Sequence, residues 1–331
     1  MPQRLLLALF LLLPLTVSAT TFKVATLSPD GSYWMQKFRA AAEAIHKRTD
    51  GRVKFKFYPG GVMGDDKAVL RKIRIRQLQG GAVSSGALSA IHADSQIYNL
   101  PMQFRSLEEV DAVRARLDQR LVDGLAQKGF VSFGIAEGGF AYLLSQHPIT
   151  TVAELRRYKA WVPDIDRMSR KAIEAFDIQP IPLPIGDVLT ALQTGLVDTV
   201  AAPPIVTLAL QWHTQVKYLL DLPLLYSYAL MIIDKRAFDR LAPADQKIVH
   251  EEMGRIFREI DRQNRVDNRQ AMTALRQQGI EILTPSPEAR QEWESLAARA
   301  RQRLREAEHF DPQLMAILQE TLKAVRSKQT D

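Results

Sequence analysis

Catalysis or metal binding in this chain would have to be built from six histidines, a Gly/Ser-rich stretch and scattered carboxylates. His46, His92, His147, His213, His250 and His309 show no H-E-x-x-H spacing and no other close pairing suited to a metal. His92-Ala93-Asp94 could supply two ligands, but reads first as a surface loop. No G-x-S-x-G, Walker A or G-x-G-x-x-G motif occurs. Ser84 and Ser85, in GGAVSSG, offer hydroxyls, yet a nucleophile there would need a His and an acid brought in by the fold. The chain has no Cys, which removes thiol chemistry and most zinc-site designs. The reading is a protein that is not an enzyme and carries no metal and no cofactor.

Composition narrows the setting. Arg4, an apolar run from Leu5 to Leu15 and the small residues Val17-Ser18-Ala19 have the layout of a cleaved secretory signal, with cleavage after Ala19. The run is short for a membrane span of about 20 apolar residues. Without a cysteine there is no lipoprotein attachment site, so an exported, soluble periplasmic protein is expected. The mature part is long enough for two domains and must hold itself together by core rather than by disulfides. The net charge of +7 is modest for 331 residues. Its densest basic stretch, Arg71-Lys72-Ile73-Arg74-Ile75-Arg76, reads as the wet face of a helix. A nucleic-acid surface would want a longer basic stripe with stacking aromatics, so no nucleic-acid partner is expected.

The elements that would position a site follow an α/β alternation. Phe22 to Leu27 reads as a strand, then a helix with Trp34, Phe38, Ala41, Ala42 and Ile45 on one face and Gly51 past its end. Val53, Phe55 and Phe57 alternate with lysines as a second strand, giving a parallel, right-handed βαβ unit. A helix over roughly 65–78, a Gly/Ser strand and loop, and a helix over 107–127 come next. FVSFGIAEGGFAYLLS reads as strand material interrupted by Gly138-Gly139. A second α/β block starts near 147, with Thr151 and Glu154 as a capping box, Asp187 as a helix cap and Gly195 as a stop. Residues 243–278 form one amphipathic helix about 50 Å long, too long for one small domain. A last strand, IEIL, precedes a helix that Ser286-Pro287 caps and that bears Trp293, Leu296 and Leu304. Two blocks of βα units argue for two lobes with a cleft at strand ends and helix N-termini.

The order of three segments, FYPGGVMGDD (57–66), LTALQTGLVDTVAAPP (189–204) and IIDKRAFDRLAPADQKIV (232–249), resembles the extracytoplasmic solute receptors of TRAP transporters, the DctP type. The resemblance runs over most of the mature chain. It implies a two-lobe periplasmic-binding-protein-like α/β fold, a ligand cleft between the lobes, a long bracing helix, and docking of the closed form onto sodium-driven membrane transporter subunits. The division would be 1–19 as signal, 20–143 as lobe I with about 233–285 returning to it, and 144–232 as lobe II. The C-terminal helices of about 286–331 would pack on the lobes. Oligomeric state is not encoded in any visible motif.

In that family an arginine in the pattern Lys-Ile-Arg-x-Pro pairs with the substrate carboxylate through both its arms, the strong way to read that group. Here the stretch is Lys159-Ala160-Trp161-Val162-Pro163, so Trp161 stands in the arginine's place. Where many members carry Gln-Glu-Asn before Pro, this chain has Val200, Ala201 and Ala202 before Pro203. A wall of Trp161, Ala201 and Ala202 cannot compensate a buried carboxylate. It suits an apolar or aromatic body, or a cation held over the Trp face; packing of Trp161 between lobe elements is the competing reading. Other candidate ligand contacts are Tyr33, Trp34, Ser84, Ser85, Phe140, Trp212 and Tyr226, with Tyr228 beside the last. The expected function is a TRAP-type periplasmic solute receptor whose small ligand is more apolar or aromatic than the usual organic acids. The alternative is a periplasmic carrier or scaffold for a lipid-like molecule without sodium-driven uptake.

Overall fold

Strand β1 (Thr20–Thr26) lies parallel to both β2 (Val53–Tyr58) and β3 (Gly80–Ser84), with helices α1 (Tyr33–Arg48) and α2 (Asp66–Arg74) as the crossovers. The computed structural model describes residues 19–328, so the leader expected at the N-terminus falls outside the described residues. Ser32 caps α1 by accepting from the Met35 amide, and Asp65 caps α2 through the Ala68 amide. Gly51, at φ +79°, takes the left-handed turn after α1.

Helix α3 (Leu107–Gln127) leads into β4 (Phe130–Ser145). The second block holds α4 (Val152–Leu155), β5 (Trp161–Pro163), α5 (Arg167–Glu174), β6 (Ile181–Leu183), α6 (Val188–Gln193), β7 (Thr199–Ala202) and α7 (Pro204–Ala209). Then come β8 (Tyr218–Asp234), α8 (Lys235–Phe238), α9 (Pro243–Gln277), β9 (Glu281–Leu283), α10 (Pro287–Glu308) and α11 (Pro312–Lys328). The Thr151/Glu154 capping box forms as its residues dictate. Asp187 does not cap α6: it closes a short 3-10 turn and its side chain bonds no helix amide.

The main sheet runs β2-β1-β3-β8-β4-β7, with β9 added to β8. Its two long strands join the lobes. One end of β4, from Phe130 to Glu137, opposes Tyr228–Asp234 of β8, beside β3. The other end, Leu143–Ser145, opposes Tyr218–Leu220, beside β7 and β9. Gly138-Gly139 does not interrupt this strand. The strand continues through a register shift between Glu137 and Gly139, and Gly139 at φ +101° absorbs the bend. Strands β5 and β6 form a small parallel pair, tied to β7 by an Ala160–Thr199 bridge.

Each lobe buries both faces of its sheet. In the first, Phe38, Ile45, Phe257 and Ile260 of α1 and α9 cover one face, and Val113, Leu117 of α3 with Leu318 of α11 cover the other. In the second, Val188, Leu192, Trp212 and Leu275 fill one side, and Val152, Leu222, Trp293 and Ala297 the other. At 35 residues, α9 is about 52 Å long and packs on α1, β4 and α7, so it spans both lobes. Where it crosses the sheet, the buried Glu137 carboxylate accepts from Tyr226 Oη at 3.0 Å and from Arg265 at 2.8 and 2.9 Å. Arg114 of α3 donates to Asp261 and to the Ile135 carbonyl at 2.9 and 3.1 Å. This network clamps α3, β4, β8 and α9 together at the point where the strands pass between lobes. Among the described residues no helix is long and apolar enough to cross a membrane.

Candidate ligand-binding site

A cavity of about 240 Å³ sits between the lobes where β4 and β8 cross. Ser84, Ser85, Gly86, Pro101 and Met102 reach it from the first lobe, Trp161, Ala201, Ile173, Phe176 and Trp293 from the second, and Leu143, Leu224 and Tyr228 from the crossing strands. A hollow at the carboxyl ends of strands, largely apolar with a few fixed polar groups, is the expected form of a small-molecule site. A larger hollow of about 670 Å³ runs along β4 between α3 and α9, but it lies within one lobe and its wall is rich in charge, including Arg114, Asp118, Arg258 and Asp261.

Among the described residues, the wall of the interlobe cavity contains no Arg, Lys or His. Its polar groups are largely spent on the protein itself. Ser84 donates its hydroxyl to Asp66 at 2.7 Å, and its amide bonds the same oxygen at 3.0 Å. Burial pushes the Asp66 carboxyl up to about 6. Ser85 Oγ lies 2.9 Å from Asn99 Oδ1, whose amide nitrogen donates to the Tyr226 carbonyl. Tyr228 donates its hydroxyl to the Ser95 carbonyl.

Trp161 serves wall and core together. Short strand β5 places it against Ile181 of β6. Its indole N–H donates to the Leu183 carbonyl at 3.0 Å, and its ring meets Trp212 edge-on with centroids 5.2 Å apart. Trp161 is 6% exposed, and the one polar atom of its side chain is spent on the Leu183 carbonyl.

Among the described residues one charged side chain lines the cavity, Asp166. It caps α5, accepting from the Ser169 amide at 3.0 Å and the Ser169 hydroxyl at 2.7 Å, and burial pushes its carboxyl upward. It faces Gly86 across the cleft so closely that a Cβ on Gly86 would stand 2.5 Å from Asp166 Oδ2. The next residues of α5 dock with it, since Met168 is buried in the first lobe's core with Leu88 and Ile97. The lobes are therefore in contact, and the cavity is closed over at this end.

Of the residues singled out in the sequence, the structure brings Trp161, Ala201, Ser84 and Ser85 to the cavity, with Tyr228. The others lie elsewhere for identifiable reasons. Ala202 and Trp212 are in the second lobe's core beside Trp161. Tyr226 is buried with its hydroxyl on Glu137, and Phe140 packs edge-on against it at 5.8 Å. Trp34 donates its indole N–H to Asn264 of α9 at 3.1 Å, and Tyr33 stacks under Lys37. Sequence reasoning missed Gly86, Asp166, Ile173, Phe176 and Trp293. The inward stripe of α5 and the turn after it, Met168 with Ala172, Ile173 and then Phe176, was a readable helical pattern that could have marked the cleft wall. Among the described residues no group of carboxylates and histidines could hold a metal ion.

A model of the DctP family, described as bacterial extracellular solute-binding protein, family 7, matches residues 24–307. This chain belongs to that family. It is a family of solute-binding receptors rather than of enzymes. A solute-binding protein of Verminephrobacter eiseniae is 26% identical over 230 residues, 69% of this chain and 68% of that one. The 2,3-diketo-L-gulonate-binding periplasmic protein YiaO of Escherichia coli is 24% identical over 247 residues, 73% and 74% of the two chains. Among solved structures, a Bordetella pertussis extracytoplasmic solute receptor binding pyroglutamic acid, DctP7, superposes with a TM-score of 0.83 at 19% identity, over 92% of this chain and all of that one. The DctP-type architecture expected from the sequence, two α/β lobes with a long bracing helix, is the one found.

Proposed function

We propose that this DctP-family receptor is a periplasmic TRAP-type solute-binding protein whose ligand is more apolar or aromatic than the organic acids named for its relatives. The observation that carries the reading is the cavity wall: it has no cationic side chain, and Trp161 stands at the family's arginine position with its N–H already given to Leu183. A carboxylate set in the middle of that wall would lose water without gaining a partner, a cost of several kcal/mol. Apolar contact with Phe176, Ile173, Leu224 and Trp293 favours a hydrocarbon or aromatic body instead.

Under this reading residues 1–19 are the cleaved leader. Residues 20–143 with about 233–285 form lobe I, residues 144–232 form lobe II, and the C-terminal helices pack on both. Binding closes the lobes about the crossing strands, and the closed face docks on the membrane subunits of the transporter. The test is native mass spectrometry of protein exported to the periplasm and purified without refolding, followed by extraction of the bound molecule. A lipid-like or aromatic mass is the expected result. Tight binding of a C4-dicarboxylate that survives Trp161→Ala would overturn the reading.

A further inference from the structure

Helix α10 carries Trp293 to the cavity wall, and Arg301 and Arg305 follow on the same i, i+4 row. Arg301 Nη1 donates to the carbonyls of Pro101 and Met102, at 2.6 and 3.2 Å, and both of those residues line the cavity. Arg326 of α11 donates to the next carbonyl, Gln103, and pairs with Glu109 at 2.8 and 3.0 Å. Arg105 closes the same segment, so four arginine charges gather around residues 101–105. Among the described residues, Arg301 and Arg305 have no carboxylate within ion-pair distance, and Arg305 Nε is buried without a hydrogen-bond partner. Burial and the neighbouring Arg305, Arg326 and Arg105 push Arg301 down to about 10. A guanidinium keeps its proton at neutral pH even so; of the carboxylates nearby, Glu109 is taken by Arg326 and Glu294 opposes the Arg301 charge without pairing with it. The seam between α5 and α10 borders the cavity here: Ala172 and Ile173 face the hollow while Lys171 bonds Glu308, one turn beyond Arg305.

We propose that Arg301 and Arg305 read the anionic head, carboxylate or phosphate, of an amphipathic ligand whose apolar body fills the interlobe cavity. The inference rests on the apolar-cleft reading above and adds a polar end to it. The arginine missing at position 161 is replaced from a different element, on the rim rather than in the wall. Arg305, with its Nε unpartnered, and the Nη2 side of Arg301, whose Nη1 holds the two carbonyls, match the planar or tetrahedral oxygens of such a head.

The experiment titrates decanoate, its neutral isostere decanamide, octyl phosphate and inorganic phosphate against wild-type protein, Arg305→Gln and Arg301→Lys, following tryptophan fluorescence and calorimetry. Wild-type protein is expected to bind decanoate or octyl phosphate at least about tenfold tighter than decanamide. Arg305→Gln should bring that ratio near one without weakening decanamide. The ligand-free Tm of Arg305→Gln should hold or rise, because repulsion is relieved; a purely structural arginine would lower it. Equal affinity of wild type for decanoate and decanamide overturns the head-group site while leaving the apolar cleft standing. A preference that survives both substitutions overturns it too, as does inorganic phosphate binding as tightly as the amphiphiles. Failure of every amphiphile to bind, amide included, overturns the apolar cleft and this inference together.

Discussion

Gly86→Ala adds one methyl group where the lobes meet, and it is expected to weaken ligand binding without destabilising the empty protein. The added Cβ would lie 2.5 Å from Asp166 Oδ2 and 2.8 Å from Cγ, whereas ordinary contact begins at about 3.4 Å, so roughly 0.9 Å must be found. Gly86 is not at positive φ, so alanine meets no backbone strain there. Asp166 has two ways to yield. It can rotate off Ser169, losing a helix cap worth about 0.5–2 kcal/mol, or the lobes can part and admit water to the cavity. Either route costs about 1–2 kcal/mol in the closed form, a factor of about 5–30 in Kd. The hinge reading has the empty protein open at this contact, where the clash is absent, so on that reading the ligand-free unfolding free energy should move by less than about 0.5 kcal/mol.

The assay is calorimetric titration with the molecule recovered from the exported protein, alongside denaturant unfolding of the ligand-free form. A double-mutant cycle with Asp166→Ser, which keeps a capping oxygen but shortens the side chain, isolates the contact. In the Asp166→Ser background Gly86→Ala should lose most of its effect. If the alanine weakens binding equally in both backgrounds, or lowers the ligand-free stability while leaving Kd alone, Gly86 and Asp166 do not form a closure contact and the reasoning fails.

Three further outcomes can be checked on the same preparations. Trp161→Ala is expected to lower the unfolding free energy by about 3–5 kcal/mol in urea, because a nearly buried indole leaves a hole against Trp212 and orphans the Leu183 carbonyl; an unchanged midpoint would deny its packing role. Glu137→Ala is expected to cost about 3–5 kcal/mol, since Arg265 and Tyr226 lose a buried carboxylate, and a cost below about 1 kcal/mol would show the network to be dispensable. Asp66 is raised from 3.8 to about 6 in the folded state, so its protonated form favours folding. That contribution is complete below pH 3.8 and fades as pH rises through about 6, by about 3 kcal/mol in all. Asp66→Asn should flatten this fall, and its stability gain over wild type should grow with pH across that window; a constant difference would sink the assignment.

The elements with strong local signals were legible. The capping box at Thr151/Glu154, the Ser286 cap and the amphipathic repeat that became α9 each depend on residues a few positions apart. Gly138-Gly139 misled because a glycine pair ends a strand in isolation, whereas here β8 pairs along both sides of the bend and carries the strand through it. Asp187 misled for a similar reason: Pro184 starts a 3-10 turn that takes up the residue before α6 begins. The site was only half legible. Trp161 and Ala201 could be placed by their position in a motif, but Gly86, Asp166 and Trp293 come together through lobe contact and through α10, separations of 80 to 200 residues that no local pattern encodes. Tyr226 and Trp212 looked like ligand aromatics because large polar-tipped rings suit both clefts and cores. Only their partners, Glu137 for one and the Trp161 ring for the other, assign them to the core.

The hydrogen bonding of the cavity leaves few free polar groups in its middle. Ser84, Ser85, Asn99 and Tyr228 are each held by Asp66, one another or a backbone carbonyl, so a polar ligand group in the middle would compete with bonds already made. Asp166 occupies one end, and there its own burial and the Gly86 contact leave little room for an anion. Under the inference drawn above the other end borders α10, where Arg301 holds the Pro101–Met102 segment and Arg305 brings a second charge. On the proposed reading, a tryptophan where the resemblance implies an arginine does more than remove a carboxylate reader. It would convert the centre of the cleft into a site that rewards length and hydrocarbon, and, under the inference drawn above, would leave the sign of the ligand's charge to be decided where α5 and α10 meet.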